Sequence, residues 1–516
     1  MSTTFPSIAA PPKTGIGAAI AAFLMRGVPE VSARTLAVFR IVFATLLLYF
    51  SGYVSQDALH RLKDNTPKYH ANSFEFLKAI AQSDVAVALI DHGITVLLVC
   101  LLIGFLSRIL FPVLVVLYWL AALLMNEGHS MTPLVLALTG ALPARWSDAM
   151  SVDRLLGIAK PVPGRTRLYG YPIWLVGLAI ALAYAAAGFS KLVLTNGKWL
   201  WETGVRWGFV ADLNNAVVDW GLFFVNNYWM ALLGSIFASF GQILYLYSCF
   251  TRNPLIKGAI GLFVAVPFLI GLILFMGLIW WAWLVLIVML YVPWPQLARL
   301  WDSPATIAAD VTPLRQFPGH HRWFILTTTF MLSGHAAAVG MQQEYEPLIS
   351  HYPMYAVHFR SNTQYEKAEW LTYKKAQRHF VYDIEVIDGD KQTSYGVWYR
   401  VIAVTSNLGP LGKWLERSYP FSQLVPREIW DVVSRNEIIP AQRCGGLRYM
   451  LRALEHSDGA KVQYSRRYYD IVDGVVSWVP VEQFAVVDVG NQCKYTIRQA
   501  SKTDQVDARH QGGVPQ

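Results

Sequence analysis

PIWLVGLAIALAYAAAGFSKLVL, residues 172–194, is apolar throughout except for one charged side chain, Lys191. About 20 such residues, each rising ~1.5 Å, cross the ~30 Å hydrocarbon core of a bilayer as a helix. The stretch therefore reads as a transmembrane span. Similar runs occupy approximately 36–54, 85–106, 109–125, 229–250, 255–274, 277–293 and 323–341. A further segment, 126–142, is apolar only from Met131 and either spans or enters and returns. The expected architecture is mainly α, a polytopic transmembrane helix bundle of 8–9 spans covering 36–341.

Composition agrees. Of 516 residues, 54% are hydrophobic and 15% charged, against roughly 25% charged in a soluble domain. The 19 Trp, 25 Tyr and 26 Phe are the stock from which aromatic belts at the bilayer surface are built. The formal charge of +9 comes from basic residues scattered through connections between apolar runs. They form neither a patch nor a nucleic-acid motif, so the partner implied is the lipid bilayer, not nucleic acid.

At the N-terminus, Lys13 precedes a short apolar stretch, 16–25, in the manner of a signal peptide. Its Gly/Ala-rich composition, followed by Arg26, Glu30 and Arg34, fits an interfacial segment over 1–35 that leads into the first span. With nine spans and a cytoplasmic N-terminus, the inside connections hold more basic residues than the outside ones, among them Arg108, Arg145, Arg154, Lys160, Arg165, Arg167, Arg252 and Lys257. That bias is the one cytoplasmic loops show, and it places the C-terminal part outside. The basic 55–84 loop runs against it.

Beyond about residue 342 the sequence turns polar, with short β-type runs. Residues 380–387 lead through Asp388-Gly389-Asp390 to 395–404, and 469–472 lead through Asp473-Gly474 to 475–479. Asp-Gly between β-branched and aromatic runs signals a hairpin, because glycine tolerates the positive φ of tight turns. A small β-rich extramembrane domain is expected over 342–499, with a disordered tail over 500–516. Cys100 and Cys249 lie in apolar runs, where a thiol behaves as a small hydrophobe. Cys444 and Cys493 form no CxxC, which argues against a metal site. In an outside domain they are expected to pair as a disulfide.

Polar residues inside the spans are the candidates for chemistry. Lys191 has Gly188, Ala187 and Tyr184 at i−3, i−4 and i−7. Small neighbours would let another helix approach and turn the lysine into the bundle. An amine that loses its proton on burial is a usable base. The alternative is that the side chain snorkels to the headgroups. His129, in Asn126-Glu127-Gly128-His129-Ser130, is either part of a polar turn or a second functional group. Ser235, Ser239 and Gln242 share one face of their span, a stripe that suits hydrogen-bonded helix packing and a ligand pocket alike. Asp91 and His92 sit at a span edge, where a structural role is expected.

Several of these features recur in one order. Leu36-Ala37-Val38-Phe39-Arg40 opens the first span, then come Gly128-His129-Ser130, Ser151-Val152-Asp153 with Leu155-Leu156, and Pro172-Ile173-Trp174. Ala187-Gly188-Phe189-Ser190-Lys191-Leu192 follows, with Trp199 and Gly204 after it. Over roughly 36–204 the chain resembles the horizontally transferred transmembrane (HTTM) family, which includes vitamin K-dependent gamma-carboxylase. Tyr352-Pro353-Met354-Tyr355 is similar to a segment of bacterial relatives.

The resemblance implies a membrane domain that holds a reduced, vitamin K-like quinone near Lys191 and His129. Lys191 matches the family's proposed catalytic lysine and His129 a functional histidine. Tyr184, Gly188, Ser235, Ser239 and Gln242 are then the candidate cofactor-binding residues. In the carboxylase, the lysine deprotonates the reduced vitamin, and oxygen converts that anion into a base strong enough to open a glutamate to carbon dioxide. Two departures stand out: Gly128 replaces the family's asparagine before the histidine, and a histidine-rich segment is here Val266-Pro267-Phe268-Leu269-Ile270-Gly271. The C-terminal part is too short for a matching substrate-binding domain, so glutamate carboxylation is not expected. Two classes of function follow. One is a quinone-linked carboxylase-like or redox enzyme acting on a protein or peptide substrate. The other is a non-catalytic membrane scaffold or maturation factor that binds a partner protein through its C-terminal domain.

Overall fold

The computed structural model describes residues 22–50, 75–125, 128–193, 195–201, 204–212, 216–218, 220–308, 311–341, 381–395, 400–401, 429–430, 432–433, 435–457, 459–467, 469–472, 475–478 and 483–499. Residues 1–21 of the expected interfacial segment over 1–35, the 500–516 tail, Tyr352 to Tyr355, and Asp473-Gly474 lie outside the described residues.

Helix α1, Ala33–Tyr49, starts at Ser32, whose Oγ accepts from Thr35 N and donates to Asp302 Oδ1 at 2.6 Å. Such a cap satisfies one of the amides a helix start leaves unpaired. α2, Asp84–Ile103, ends at Gly104 in the left-handed region, and α3, Ser107–Met125, follows at once. A side chain at Gly104 would come within 2.5 Å of Ser151 Cβ and 2.6 Å of Arg40 Nη1. Asp153 accepts from the amides of Leu106 (2.7 Å) and Ser107 (3.3 Å), placing its charge at the start of α3. Arg40, fully buried, donates to the carbonyls of Trp146 and Met150. Arg40 and the Ser151–Asp153 segment, separate in sequence, thus tie one end of the bundle together.

α4, Gly128–Gly140, is followed by the central helix α5, Arg167–Val193. α5 is buried along nearly its whole length and packs against α1, α4, α7 (Tyr228–Phe250), α9 (Trp281–Tyr291) and α10 (Pro318–Met341). Between α5 and α7 lie α6, Gly204–Asp212, and the short helices Lys198–Trp201 and Gly221–Asn226. α8, Pro254–Met276, contains two π-helical turns, Gly261–Ala265 and Leu272–Met276, and stops at left-handed Gly277.

Among the described residues, six helices are long and apolar enough to cross a membrane, and a seventh crossing results if α9 and Trp294–Leu300, bent by 57° about Pro293, are taken together. This corrects the expected eight or nine. α4 has 13 residues, about 20 Å of helix, too short for the ~30 Å core, and α1 has 17, about 26 Å. The sidedness argument that counted nine spans loses its footing with them.

The C-terminal part folds around a separate small core. A five-stranded antiparallel sheet has the order β2-β1-β3-β6-β7, formed by β1 Val381–Asp388, β2 Lys391–Ser394, β3 Lys461–Arg467, β6 Gln483–Asp488 and β7 Lys494–Gln499. β4 Tyr469–Val472 and β5 Val475–Trp478 make a second hairpin. Ile384 and Val386 point inward and Glu385 outward, as strand alternation requires. Asp388 pairs with Lys391 around Gly389 (φ +60), so the turn is tighter than the sequence reading, which began the second strand only at Tyr395. One helix, α11 Ala441–Ala453, covers the sheet through Cys444, Leu447, Met450 and Leu451. Cys444 and Cys493 form a disulfide that joins α11 to the β6–β7 turn.

An intramembrane cavity at Lys191

A cavity of about 240 Å³ lies beside the end of α5. Its wall is almost wholly apolar: Val205, Gly208 and Phe209 come from α6, Phe224 from the Gly221–Asn226 helix, and Gly234, Phe237 and Ala238 from α7. α8 adds Pro267, Phe268, Gly271, Leu272, Phe275 and Met276, with Trp280 beyond it. Lys191, Gln242 and Trp199 supply the polar atoms.

Lys191 is 4% exposed, and its Nζ donates to Gln242 Oε1 at 3.0 Å and to Ala187 O at 3.2 Å. Nζ also lies 5.5 Å from the Trp199 ring centroid, a cation–π distance. The side chain therefore turns into the bundle and does not reach for the headgroups. Depth along α7 says the same. At 1.5 Å per residue, Gln242 lies about 21 Å from Tyr228 and about 12 Å from Phe250. Both distances put the amine at the level of the hydrocarbon. Among the described residues, no carboxylate lies within ion-pair distance of it.

The small residues before Lys191 explain why the two helices come so close. A Cβ on Gly188 would meet Ser239 O at 2.6 Å and Gln242 Cβ at 3.2 Å, so glycine is what allows α5 to touch the α7 backbone. Trp199 is held in a comparable way. Its indole lies where a Cβ on Gly204 would fall, 2.3 Å from Nε1. Lys191, Trp199 and Gly204, which carry the family resemblance, thus form one contiguous arrangement.

The other sequence candidates are placed differently. Tyr184 is outside the cavity wall, in a buried aromatic cluster: it stacks on Tyr245 at 4.2 Å and meets Trp283 at 4.8 Å and Phe268 at 5.6 Å edge-on. Ser235 Oγ accepts from Val205 N at 3.2 Å and so anchors α6 on α7. Ser239 Oγ is buried without a hydrogen-bond partner among the described residues. His129 is in the first turn of α4, but its side chain lies outside the described residues. Asp91 is buried and His92 exposed, both away from the cavity. Among the described residues no group of histidine, cysteine and carboxylate side chains could hold a metal.

Sequence reasoning missed two contributors. The apolar segment Val266–Gly271, noted only as a departure from the family, is a cavity wall. Trp199 was noted only for its place after the lysine, although its indole Nε1 is buried without a hydrogen-bond partner among the described residues. Compared with family models, curated proteins and solved structures, the chain finds no match.

Proposed function

We propose that the Lys191 cavity binds a reduced quinone, and that the chain is a quinone-linked carboxylase-like or redox enzyme of the HTTM type with Lys191 as its base. The observation that carries this reading is the amine at the edge of an apolar cavity. A neutral amine has two hydrogens and one lone pair. Gln242 Oε1 and Ala187 O accept the two hydrogens, which leaves the lone pair for the cavity. Trp199 Nε1, a buried donor awaiting an acceptor, is suited to an oxygen on the same ligand. The apolar wall would take the ring. A reduced quinone brings an acidic hydroxyl and an electron pair to the site. Lys191 would accept the hydroxyl proton while Gln242 holds the amine in place. His129 remains a candidate for orienting the head.

The second reading, a non-catalytic scaffold or maturation factor, is favoured by one observation. The wall contributed by Val266–Gly271 holds no acid or base, so the lysine stands without a second titratable group among the described lining residues. In either reading we place the N-terminus in the cytoplasm and the C-terminal domain outside. The Cys444–Cys493 disulfide supports an oxidising compartment for that domain, and seven crossings have the odd parity this arrangement needs. Mass spectrometry of lipid-phase molecules co-purifying with the full-length protein tests the proposal. A quinone retained by the wild type and lost in Lys191→Met supports the enzyme. The same lipids in both, with no quinone, would leave the scaffold.

A further inference from the structure

Between α4 and α5 the chain makes a short loop whose backbone closes on itself. Ser151 Oγ accepts from Arg154 N at 3.0 Å and starts the four-residue helix Val152–Leu155. The amides of Leu155, Leu156 and Gly157 donate to the carbonyls of Ser151, Val152 and Arg154, and those of Ile158 and Ala159 both donate to Asp153 O. The side chains on this loop are ill suited to water. Leu155 is 87% and Leu156 61% exposed, and Met150 and Ile158 are more than half exposed beside them. Four large apolar groups left uncovered within nine residues mark a contact surface. Asp153 fixes where the loop sits: it accepts from the amides of Leu106 and Ser107, and its own amide donates to Gly104 O. The loop therefore lies at the turn between α2 and α3. On either side of that turn Ile103 and Ile109 are exposed, on helices long and apolar enough to cross a membrane. Arg108, just inside α3, and Arg154 and Lys160, on the loop and beyond it, are exposed as well.

We infer that residues 150–158 are an interfacial anchor: Leu155, Leu156 and Ile158 enter the leaflet at the α2–α3 turn, and Arg154, Lys160 and Arg108 bind its anionic headgroups. Three observations favour lipid over a protein partner. Asp153 holds the loop at the level where two spans meet the membrane surface, so its apolar side chains continue the exposed apolar surface that Ile103 and Ile109 begin. Backbone groups that leave water have to be satisfied within the chain, and from Leu155 to Ala159 every amide is. Apolar side chains among basic ones are the composition of elements that lie in the plane of the membrane, and lysine and arginine there are drawn to anionic lipid. The anchor is also tied to α1, because Arg40 donates to the carbonyls of Trp146 and Met150. It thereby sets the level at which the α1–α3 end of the bundle sits in the bilayer.

The test is collisional quenching of a fluorophore on the full-length protein in nanodiscs. Cys100 and Cys249 are replaced by Ser, leaving the disulfide intact, and Leu156→Cys carries an environment-sensitive dye. The same dye on Asp390→Cys, in the exposed β1–β2 turn, is the aqueous reference. Iodide quenches from water and a nitroxide-bearing phospholipid from the bilayer. Iodide quenching at 156 is expected to be about tenfold weaker than at 390 and nitroxide quenching strong, because an interfacial element sinks its apolar face ~5–10 Å into the headgroup boundary. Leu155→Ser combined with Ile158→Ser is expected to restore access to iodide. Replacing a third of the phosphatidylcholine by phosphatidylglycerol is expected to strengthen nitroxide quenching. Arg154→Gln combined with Lys160→Gln should remove that gain, and high salt should reduce it. Where the Leu156 variant does not fold, the dye goes on Ile158→Cys and the serines on Leu155 and Leu156. Iodide access at 156 equal to that at 390 overturns the anchor. Shielding from iodide without nitroxide quenching overturns lipid as the occupant and means that a protein or a second copy covers the loop. A phosphatidylglycerol response that survives the Gln substitutions overturns the headgroup contacts.

Discussion

The amine of Lys191 and the amide oxygen of Gln242, 3.0 Å apart, join α5 to α7, and both side chains are buried. Gly188 makes this pairing geometrically accessible, because it lets α5 lie against the backbone of α7 one turn away. An amide is an unusual choice of partner for a cation. A carboxylate would fix the charge in place, whereas Gln242 accepts a hydrogen from the amine in either protonation state. The pair is therefore compatible with a lysine that loses and regains its proton, and among the described residues the rest of the wall offers no other polar side chain apart from Trp199.

The first prediction concerns that helix contact. Gly188→Ala puts a methyl group 2.6 Å from Ser239 O, a backbone atom that cannot step aside. Overpacking of this kind costs about 1–3 kcal/mol, so the detergent melting temperature is expected to fall. Ser239→Ala is expected to do the opposite or nothing, because among the described residues its buried hydroxyl has no partner whose loss would matter. A thermal-shift series on the two variants checks the sign of each. Equal losses would mean that Ser239 is engaged and the contact is misread.

The second prediction concerns Cys444–Cys493, which closes a loop with a sequence separation of 49. On the chain-entropy account such a cross-link contributes roughly 4 kcal/mol. Cys444→Ser is expected to raise hydrogen exchange in α11, β6 and β7 strongly, while the amides of α5 and α7 stay protected. A loss spread evenly over both parts would show that the C-terminal core does not stand on its own contacts.

Helices whose apolar length matches the bilayer were legible in the sequence: α2, α3, α7 and α8 begin and end within a few residues of the runs that announced them. α5 starts earlier than its apolar run, at Arg167, because its first turns are held by protein groups that hydropathy cannot register. Arg167 pairs with Glu30, and Tyr169 donates to Asp148. α9 is shorter than its run because 277–280 lie outside the helix, left-handed Gly277 ending α8 and extended Trp280 preceding α9, and because the chain bends by 57° beyond Tyr291. α11 had a readable signal, with apolar residues at 444, 447, 450 and 451 on a helical period, but the neighbouring hairpin signals drew the reading toward strands. The cavity was legible only at its polar edge. Lys191 and Gln242 stand out in apolar runs, whereas the phenylalanines and glycines of the wall look like any lipid-facing residues until four elements bring them together.

A third prediction uses pH. Asp388 is held below the ordinary aspartate value of 3.8, first by the Ser457 hydroxyl, then by the Ser457 amide, with His456 adding to it. A carboxyl with a depressed pKa in the fold contributes stability that is complete above its ordinary value and is lost as pH falls through the folded value. Protection at the junction of β1 with the end of α11 is therefore expected to be constant at neutral pH and to weaken below about pH 4. Ser457→Ala should reduce the amplitude of that loss and move its completion to higher pH, the onset being set by the ordinary carboxyl value. Hydrogen exchange between pH 6 and pH 3 measures both. An amplitude unchanged by Ser457→Ala would show that Ser457 does not hold the carboxyl down.

The last prediction separates a base from a buried structural cation at Lys191. Lys191→Met removes a chargeable group from the hydrocarbon, worth about 2.5–3.5 kcal/mol on insertion scales. Against this stand the lost hydrogen bonds to Gln242 and Ala187, worth about 1 kcal/mol each. Expression and detergent stability are therefore expected to hold or improve, while ligand retention and any activity are lost. Lys191→Arg keeps the positive charge and the cation–π contact with Trp199 but cannot release a proton near neutral pH. If Lys191 acts as a base, the Arg variant retains the bound molecule at least in part and shows no turnover. Should it keep full activity, proton transfer at this position is not part of what the protein does, and the lysine serves to hold α5, α7 and Trp199 together.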